Sequence, residues 1–166
     1  METLGRQKMW KTMFFGESGF LDMKIISHRG NVSGRKPRLE NTKEYVLKAL
    51  KSFDVEIDVW AYDGAIYLGH DEPTELIPLT LLKLNSEKLW IHCKNIEALE
   101  TLSKERDLNC FGHSLDEFVL TSKGFIFTKP NSNQSPNSVS VDLNAEKLYY
   151  KNYGVCTDYP EKYRNK

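Results

Sequence analysis

The sequence predicts an α/β fold, a mostly parallel sheet with covering helices that suggests a shortened (β/α)8 TIM-type barrel with several helices reduced or missing. Three observations carry that expectation. Strand and helix patterns alternate in the first half of the chain, as they do over a parallel sheet. Brief strand patterns recur beyond residue 108, and the total is about eight, the number that closes a barrel of this type. The 166 residues suffice for one domain with a hydrophobic core and are too few for two ordinary ones.

Residues 1–22 have no sustained apolar stretch and no small-residue cleavage site, so they read as a loosely ordered extension and not as a signal peptide. A single domain is expected over 23–166. Lys24-Ile25-Ile26-Ser27 is a short apolar strand that runs into His28-Arg29-Gly30 and a polar loop, 31–38, holding Gly34 and Pro37. Asn41 with Glu44 three residues later resembles a capping box. Val46, Ala49, Leu50 and Phe53 then recur at i, i+3, i+4 and i+7, which predicts a helix over about 42–53. Asp54 to Trp60 alternates as a strand, Asp63-Gly64 signals a two-residue hairpin turn, and Ala65 to Leu68 returns. Leu89 to Cys93 is a further strand, and Ile96, Leu99 and Leu102 mark the helix after it. Brief strands follow at 108–111, 118–120, 124–127, 138–141 and 154–156, with a polar loop over 130–138.

Twenty-three Lys and Arg balance 23 Asp and Glu, so no global field attracts nucleic acid or an anionic surface. Mean hydropathy is −0.52, and no apolar run approaches the ~20 residues of a membrane span. An integral membrane segment is therefore not expected. Cys93, Cys110 and Cys156 are an odd set without short paired spacing, which fits a reducing, cytoplasmic compartment better than a disulfide scaffold. No CxxC metal site is present.

Alternation places Glu56 and Asp58 on one face of their strand and Val55, Ile57 and Val59 on the other. The two carboxylates are either the polar outer face of a half-solvated strand or a site for a hard cation such as Mg²⁺ or Ca²⁺. The hairpin brings His70 and Asp71 back beside them, but strict alternation sends His70 to the Ile57 face. The ladder is therefore expected to break at or before Gly69, where a glycine permits the chain to re-aim. Of the four histidines, His28, His70 and His92 follow or end a strand, and His113 follows Cys110-Phe111-Gly112. Parallel barrels gather their active sites at such strand ends, and two histidines suit acid-base work near neutral pH. Phe111, Phe125, Phe127, Tyr149, Tyr150 and Tyr153 read as core or rim aromatics more than as a substrate clamp.

Ile25-Ile26-Ser27-His28-Arg29-Gly30, Leu39-Glu40-Asn41-Thr42, Val55-Glu56-Ile57-Asp58-Val59 and Gly69-His70-Asp71 resemble, in order, the HRG, ENT, ExD and HD signatures of the glycerophosphodiester phosphodiesterase family. Trp90 to Lys94 resembles that family's next strand and Gly154 to Asp158 its last, so the resemblance spans about 24–160 and is loose between 108 and 150. It implies a phospholipase C-like (β/α)8 barrel cleaving a small phosphodiester with one divalent metal ion. By motif, Glu56 and Asp58 are metal ligands, His28 and His70 the acid-base pair, and Arg29 and Lys94 phosphate contacts. Glu40 and Asn41 match the substrate-side ENT motif, where Asn41 either supports the site or caps the helix.

Two departures stand out. His92 occupies the position of the family's third metal carboxylate, which shifts preference from Mg²⁺ or Ca²⁺ toward Mn²⁺ or Zn²⁺. Setting residues 1–22 aside leaves about 144 residues where a (β/α)8 barrel takes ~250. Missing faces would then be covered by side chains or by a second copy of the chain, a homo-oligomer. The same departures leave open a second expectation, a non-catalytic phosphate-ligand-binding module on this scaffold.

Overall fold

The computed structural model describes residues 23–130, 132–147 and 152–164; the expected extension over 1–22, and Tyr149 and Tyr150 among the aromatics, lie outside the described residues. Ten strands and four short helices are described: β1 (Lys24–His28), α1 (Lys43–Leu50), β2 (Asp54–Tyr62), β3 (Ala65–Leu68), β4 (Glu75–Leu76), α2 (Leu79–Leu84), β5 (Leu89–Cys93), α3 (Ile96–Leu102), β6 (Asn109–Phe111), β7 (Phe118–Leu120), β8 (Ile126–Thr128), β9 (Ser138–Val141), β10 (Gly154–Thr157) and α4 (Pro160–Arg164). None of these helices is long and apolar enough to cross a membrane.

All strands belong to one curled sheet. Parallel pairing runs β6, β5, β2, β1, β10, β9, β8. Antiparallel pairing adds β7 to β8, and β3 with β4 to the far end of β2. The hairpin register is the one the Asp63-Gly64 turn implies, with Tyr62 opposite Ala65 and Trp60 opposite Tyr67.

The expected (β/α)8 TIM-type barrel is not what forms. The sheet is mixed, and among the described residues no ladder joins β6 to β7 or β8 and no helix lies between β6 and β10. Segment length explains this: a parallel crossover takes a dozen or more residues, usually a helix. Only residues 121–125 separate β7 from β8, so that pair folds back as an antiparallel hairpin. The gap beside β6 is bridged by side chains. Phe111 stacks on Phe127 with ring centroids 4.5 Å apart. Ser122 donates its N–H to the Cys110 carbonyl at 2.8 Å, while its hydroxyl accepts the Cys110 N–H and donates to the Leu108 carbonyl.

Two apolar layers hold the sheet. Outside it, Val55, Ile57, Val59 and Ile91 pack against Val46 and Ala49 of α1, Leu82 of α2, and Ala98 and Leu102 of α3. Such side chains contribute about 1.5–3 kcal/mol each on burial, so this helix-covered half carries most of the apolar stabilisation. Inside the curl, Ile26, Trp90, Phe111, Phe127, Val139 and Cys156 form a plug. Among the described residues no helix lies over the outer face of β8 and β9, and those strands instead bury Thr128, Ser138 and Ser140. The polar 129–137 loop satisfies them: the Gln134 side-chain oxygen accepts from Thr128, Ser140 and Asn152 at 3.2, 2.6 and 2.8 Å.

The helix expected over 42–53 is shorter, and its N-cap is Thr42, which makes no side-chain capping bond. Asn41 does not form the capping box, because its side chain is used elsewhere.

Candidate functional site

Strand geometry brings the charged residues together. In β2 successive side chains alternate faces, so while Val55, Ile57 and Val59 meet the helices, Glu56 and Asp58 point into the curl. They are not a solvated outer face: Glu56 is 4% exposed and Asp58 fully buried. Parallel register sets His28 of β1 level with Glu56, and Asp58 level with His92 of β5. These side chains, with Arg29, His70 and Lys94, line a cleft of about 520 Å³ above the apolar plug.

Asp58 is the hub of the cleft. Its carboxylate accepts His92 Nδ1 at 2.9 Å and Asn41 Nδ2 at 2.9 Å, and Lys94 Nζ stands 3.5 Å away. Arg29 Nε lies 2.9 Å from Asp58 Oδ2, an ion contact in which the N–H is not aligned as a hydrogen bond. Asn41 returns its own oxygen to the Asp58 backbone N–H at 3.0 Å, so it supports the site and does not cap α1. Glu40 holds Arg29 from behind, Nη1 to Oε2 at 3.3 Å, and also accepts from Asn31 and Arg35. Arg29 and Asn41 both have left-handed backbones, φ 54° and 56°, which cost energy in non-glycine residues and here aim both side chains at Asp58.

His28 donates its Nδ1–H to Asp158 Oδ1 at 2.8 Å, and its Nε2 sits 3.9 Å from Glu56 Oε2. Asn31 Nδ2 bonds the same Asp158 oxygen at 2.8 Å. His70 comes from the far side. The β2–β3 ladder stops at Leu68, and Gly69 turns at φ 148°, where a Cβ would collide with the Glu72 carbonyl. Trp60 Nε1 clamps the turn through the Gly69 carbonyl at 2.7 Å. His70 therefore faces the cleft, with Nδ1 2.7 Å from Asp71 Oδ1.

The electrostatics separate the two buried carboxyls. Burial pushes the Glu56 carboxyl up, and the neighbouring Asp58 charge pushes it further, against the opposing pull of His28, His92 and Arg29. Burial also works against ionised Asp58, but the His92 hydrogen bond and the charges of Arg29 and Lys94 hold it well below the usual carboxylate range. Glu56 Oε2 is buried without a hydrogen-bond partner, a costly arrangement for a carboxylate unless a cation or proton sits on it.

One ligand atom each from Glu56, Asp58 and His92 falls within 4.8 Å of the others. That donor set, two carboxylate oxygens and an imidazole, fits a divalent ion, with Mn²⁺ and Zn²⁺ suited as well as Mg²⁺ or Ca²⁺. His92 Nδ1 donates to Asp58, and its Nε2 lies 3.5 Å from the His113 carbonyl. His92 is further fixed against Phe111 and His113, with ring centroids at 5.2 and 4.7 Å.

All nine residues singled out from the sequence thus fall in or directly behind this cleft, Glu40 and Asn41 as supports. Sequence reasoning gave no site role to Asp158, Asn31 or His113, although it noted His113 among the strand-end histidines. Asp158 directly follows β10, so the strand-end rule that flagged His28 also applies to it. Asn31 lies in a loop with no distinguishing signal. Comparison with known proteins finds no matching family model, no similar curated protein and no similar solved structure.

Proposed function

We propose that this chain is a metal-dependent phosphodiester hydrolase of the glycerophosphodiester phosphodiesterase kind, in which His28 and His70 are the acid-base pair. The observation that carries the reading is the buried, unpartnered Glu56 oxygen beside Asp58 and His92, ringed by Arg29, Lys94 and two further imidazoles at one cleft. A phosphodiester monoanion fits this constellation because it needs cations around its equatorial oxygens and proton donors or acceptors at its two ester arms.

Glu56, Asp58 and His92 would hold the metal, which supplies Lewis-acid polarisation of a phosphoryl oxygen. Arg29, through the guanidinium N–H groups that Glu40 and Asp58 leave free, and Lys94, as a point charge, bind the remaining phosphoryl oxygens. Asp158 orients His28 through Nδ1 and leaves Nε2 toward the cleft; Asp71 does the same for His70. One imidazole takes the proton of the attacking water or neighbouring substrate hydroxyl, and the other delivers a proton to the departing alkoxide. Three free, buried thiols favour the reducing, cytoplasmic setting expected from the sequence.

A second reading, a phosphate-ligand binder without turnover, is favoured by the crowding of Asp58. Four donors already surround it, so an ion must compete with them. Turnover of bis(4-nitrophenyl) phosphate across Mg²⁺, Ca²⁺, Mn²⁺ and Zn²⁺ separates the two. Hydrolysis that EDTA stops and that His28→Ala or His70→Ala abolishes supports the enzyme. Stabilisation by the diester without product at any metal supports the binder.

A further inference from the structure

The charged groups occupy only part of the cleft. Its opposite wall carries the apolar side chains of Phe127 of β8, Val141 of β9 and Val119 and Phe118 of β7, with Asp116, Glu117, Thr128 and Lys129 beside the ends of these strands. That wall is continuous with the ligand set, because Phe127 stacks on Phe111 and Phe111 stacks on His92. Phe118 is 66% exposed although it lines the cleft, so the wall extends from the buried plug out to solvent. Exposing a phenyl ring costs free energy that a soluble rim residue would not. A cleft of about 520 Å³ is in the range that takes a drug-sized ligand, roughly 300–1,000 Å³. A phosphate with two small arms leaves most of it empty.

We infer that the site selects a phosphodiester in which one ester arm is an extended apolar group, alkyl or aryl, lying along Phe127, Val119 and Phe118, while the phosphate sits at Arg29 and Lys94. The inference rests on the proposed phosphate site but not on turnover. The apolar arm places its phosphorus against the cations while covering Phe127, Val119 and Val141; of the polar residues on this side, Thr128 gives its hydroxyl to Gln134 and Lys129 its Nζ to the Leu115 carbonyl.

Binding of three unreactive dialkyl phosphates tests it: dimethyl, butyl methyl and octyl methyl phosphate, each below its aggregation concentration, titrated calorimetrically into the full chain with and without Mn²⁺. The dissociation constant should fall at least tenfold from the dimethyl to the octyl methyl ester. Phe118→Ser, a change at an exposed position, should remove most of that gain. Leu120→Ser alters an equally exposed apolar residue of β7 outside the cleft and should leave the gain intact. Equal affinities across the series, no binding of any ester, or a gain that survives in Phe118→Ser would each overturn the inference. Failure of bis(4-nitrophenyl) phosphate to turn over, with the chain-length gain present, overturns the hydrolase reading alone.

Discussion

Glu56 and Asp58, two residues apart on one strand, have been given opposite electrostatic fates. Asp58 is saturated by cationic and amide donors, whereas Glu56 keeps one oxygen without a partner. Ionised Glu56 therefore costs the metal-free fold stability, and removing its charge should relieve that cost. Glu56→Gln is expected to raise the melting temperature in EDTA by roughly 2–4 °C and to erase the further rise that Mn²⁺ gives the wild type; differential scanning fluorimetry with both additions checks it. Asp158 acts on His28 alone among the imidazoles. Asp158→Ala should free His28 Nδ1 from its anchor and reduce turnover of the aryl phosphodiester on the order of 10–100-fold, the usual cost of losing an outer partner. Alternation in β2 and the strand-end histidines were readable because period and position are local properties of the chain. The role of Asn41 was not: a helix cap and a carboxylate brace need the same residue type, and only the approach of Asp58 from seventeen positions away decides between them.

At the scale of elements, long periodic segments were legible and short ones were not. β5 and the β2–β3 hairpin form where alternation and the Asp63-Gly64 turn put them. The two-residue β4 and the six-residue α2 carry too few positions for a period to show, and α2 forms under the leucines that follow Pro78 because Leu82 has a pocket to fill. The barrel expectation failed at the same point. Counting strands says nothing about their direction, and the short 121–125 turn reverses β7 against β8. What covers β8 and β9 is a polar loop, and its quality rests on Gln134. Gln134→Ala leaves the Thr128, Ser140 and Asn152 donors without their shared acceptor. Thr128 and Asn152 keep weaker or shared partners in Val139 and Ser140, so the loss should sit near the low end of the roughly 1–3 kcal/mol that an unsatisfied buried group costs, and the urea midpoint should fall with little change in slope.

For the whole molecule, acid stability follows from carboxyls shifted in opposite directions. Asp58 and Asp158 are held below the ordinary aspartate value, about 3.9 in an unfolded chain. Their contribution is fully present above that value and is lost as pH falls through their folded values. Glu56 is shifted upward, so its ionisation costs stability above its folded value, and acidification toward the unfolded glutamate value, about 4.3, restores it. Metal-free protein should therefore be most stable at mildly acidic pH and lose stability steeply below about pH 4. Urea midpoints between pH 3 and 8 measure this, and Glu56→Gln should flatten the acid-side rise while leaving the drop below pH 4.

The sheet is covered by hydrocarbon on one half and by amide and hydroxyl groups on the other. Hydrocarbon burial resists brief water entry, while a hydrogen-bonded cover can exchange its partners for water one at a time. Amide hydrogens of β8 and β9 should consequently exchange for deuterium sooner than those of β2 and β5, through openings smaller than global unfolding. The apolar wall of the cleft then stands on the part of the molecule that breathes most, and the charged wall on the part that breathes least.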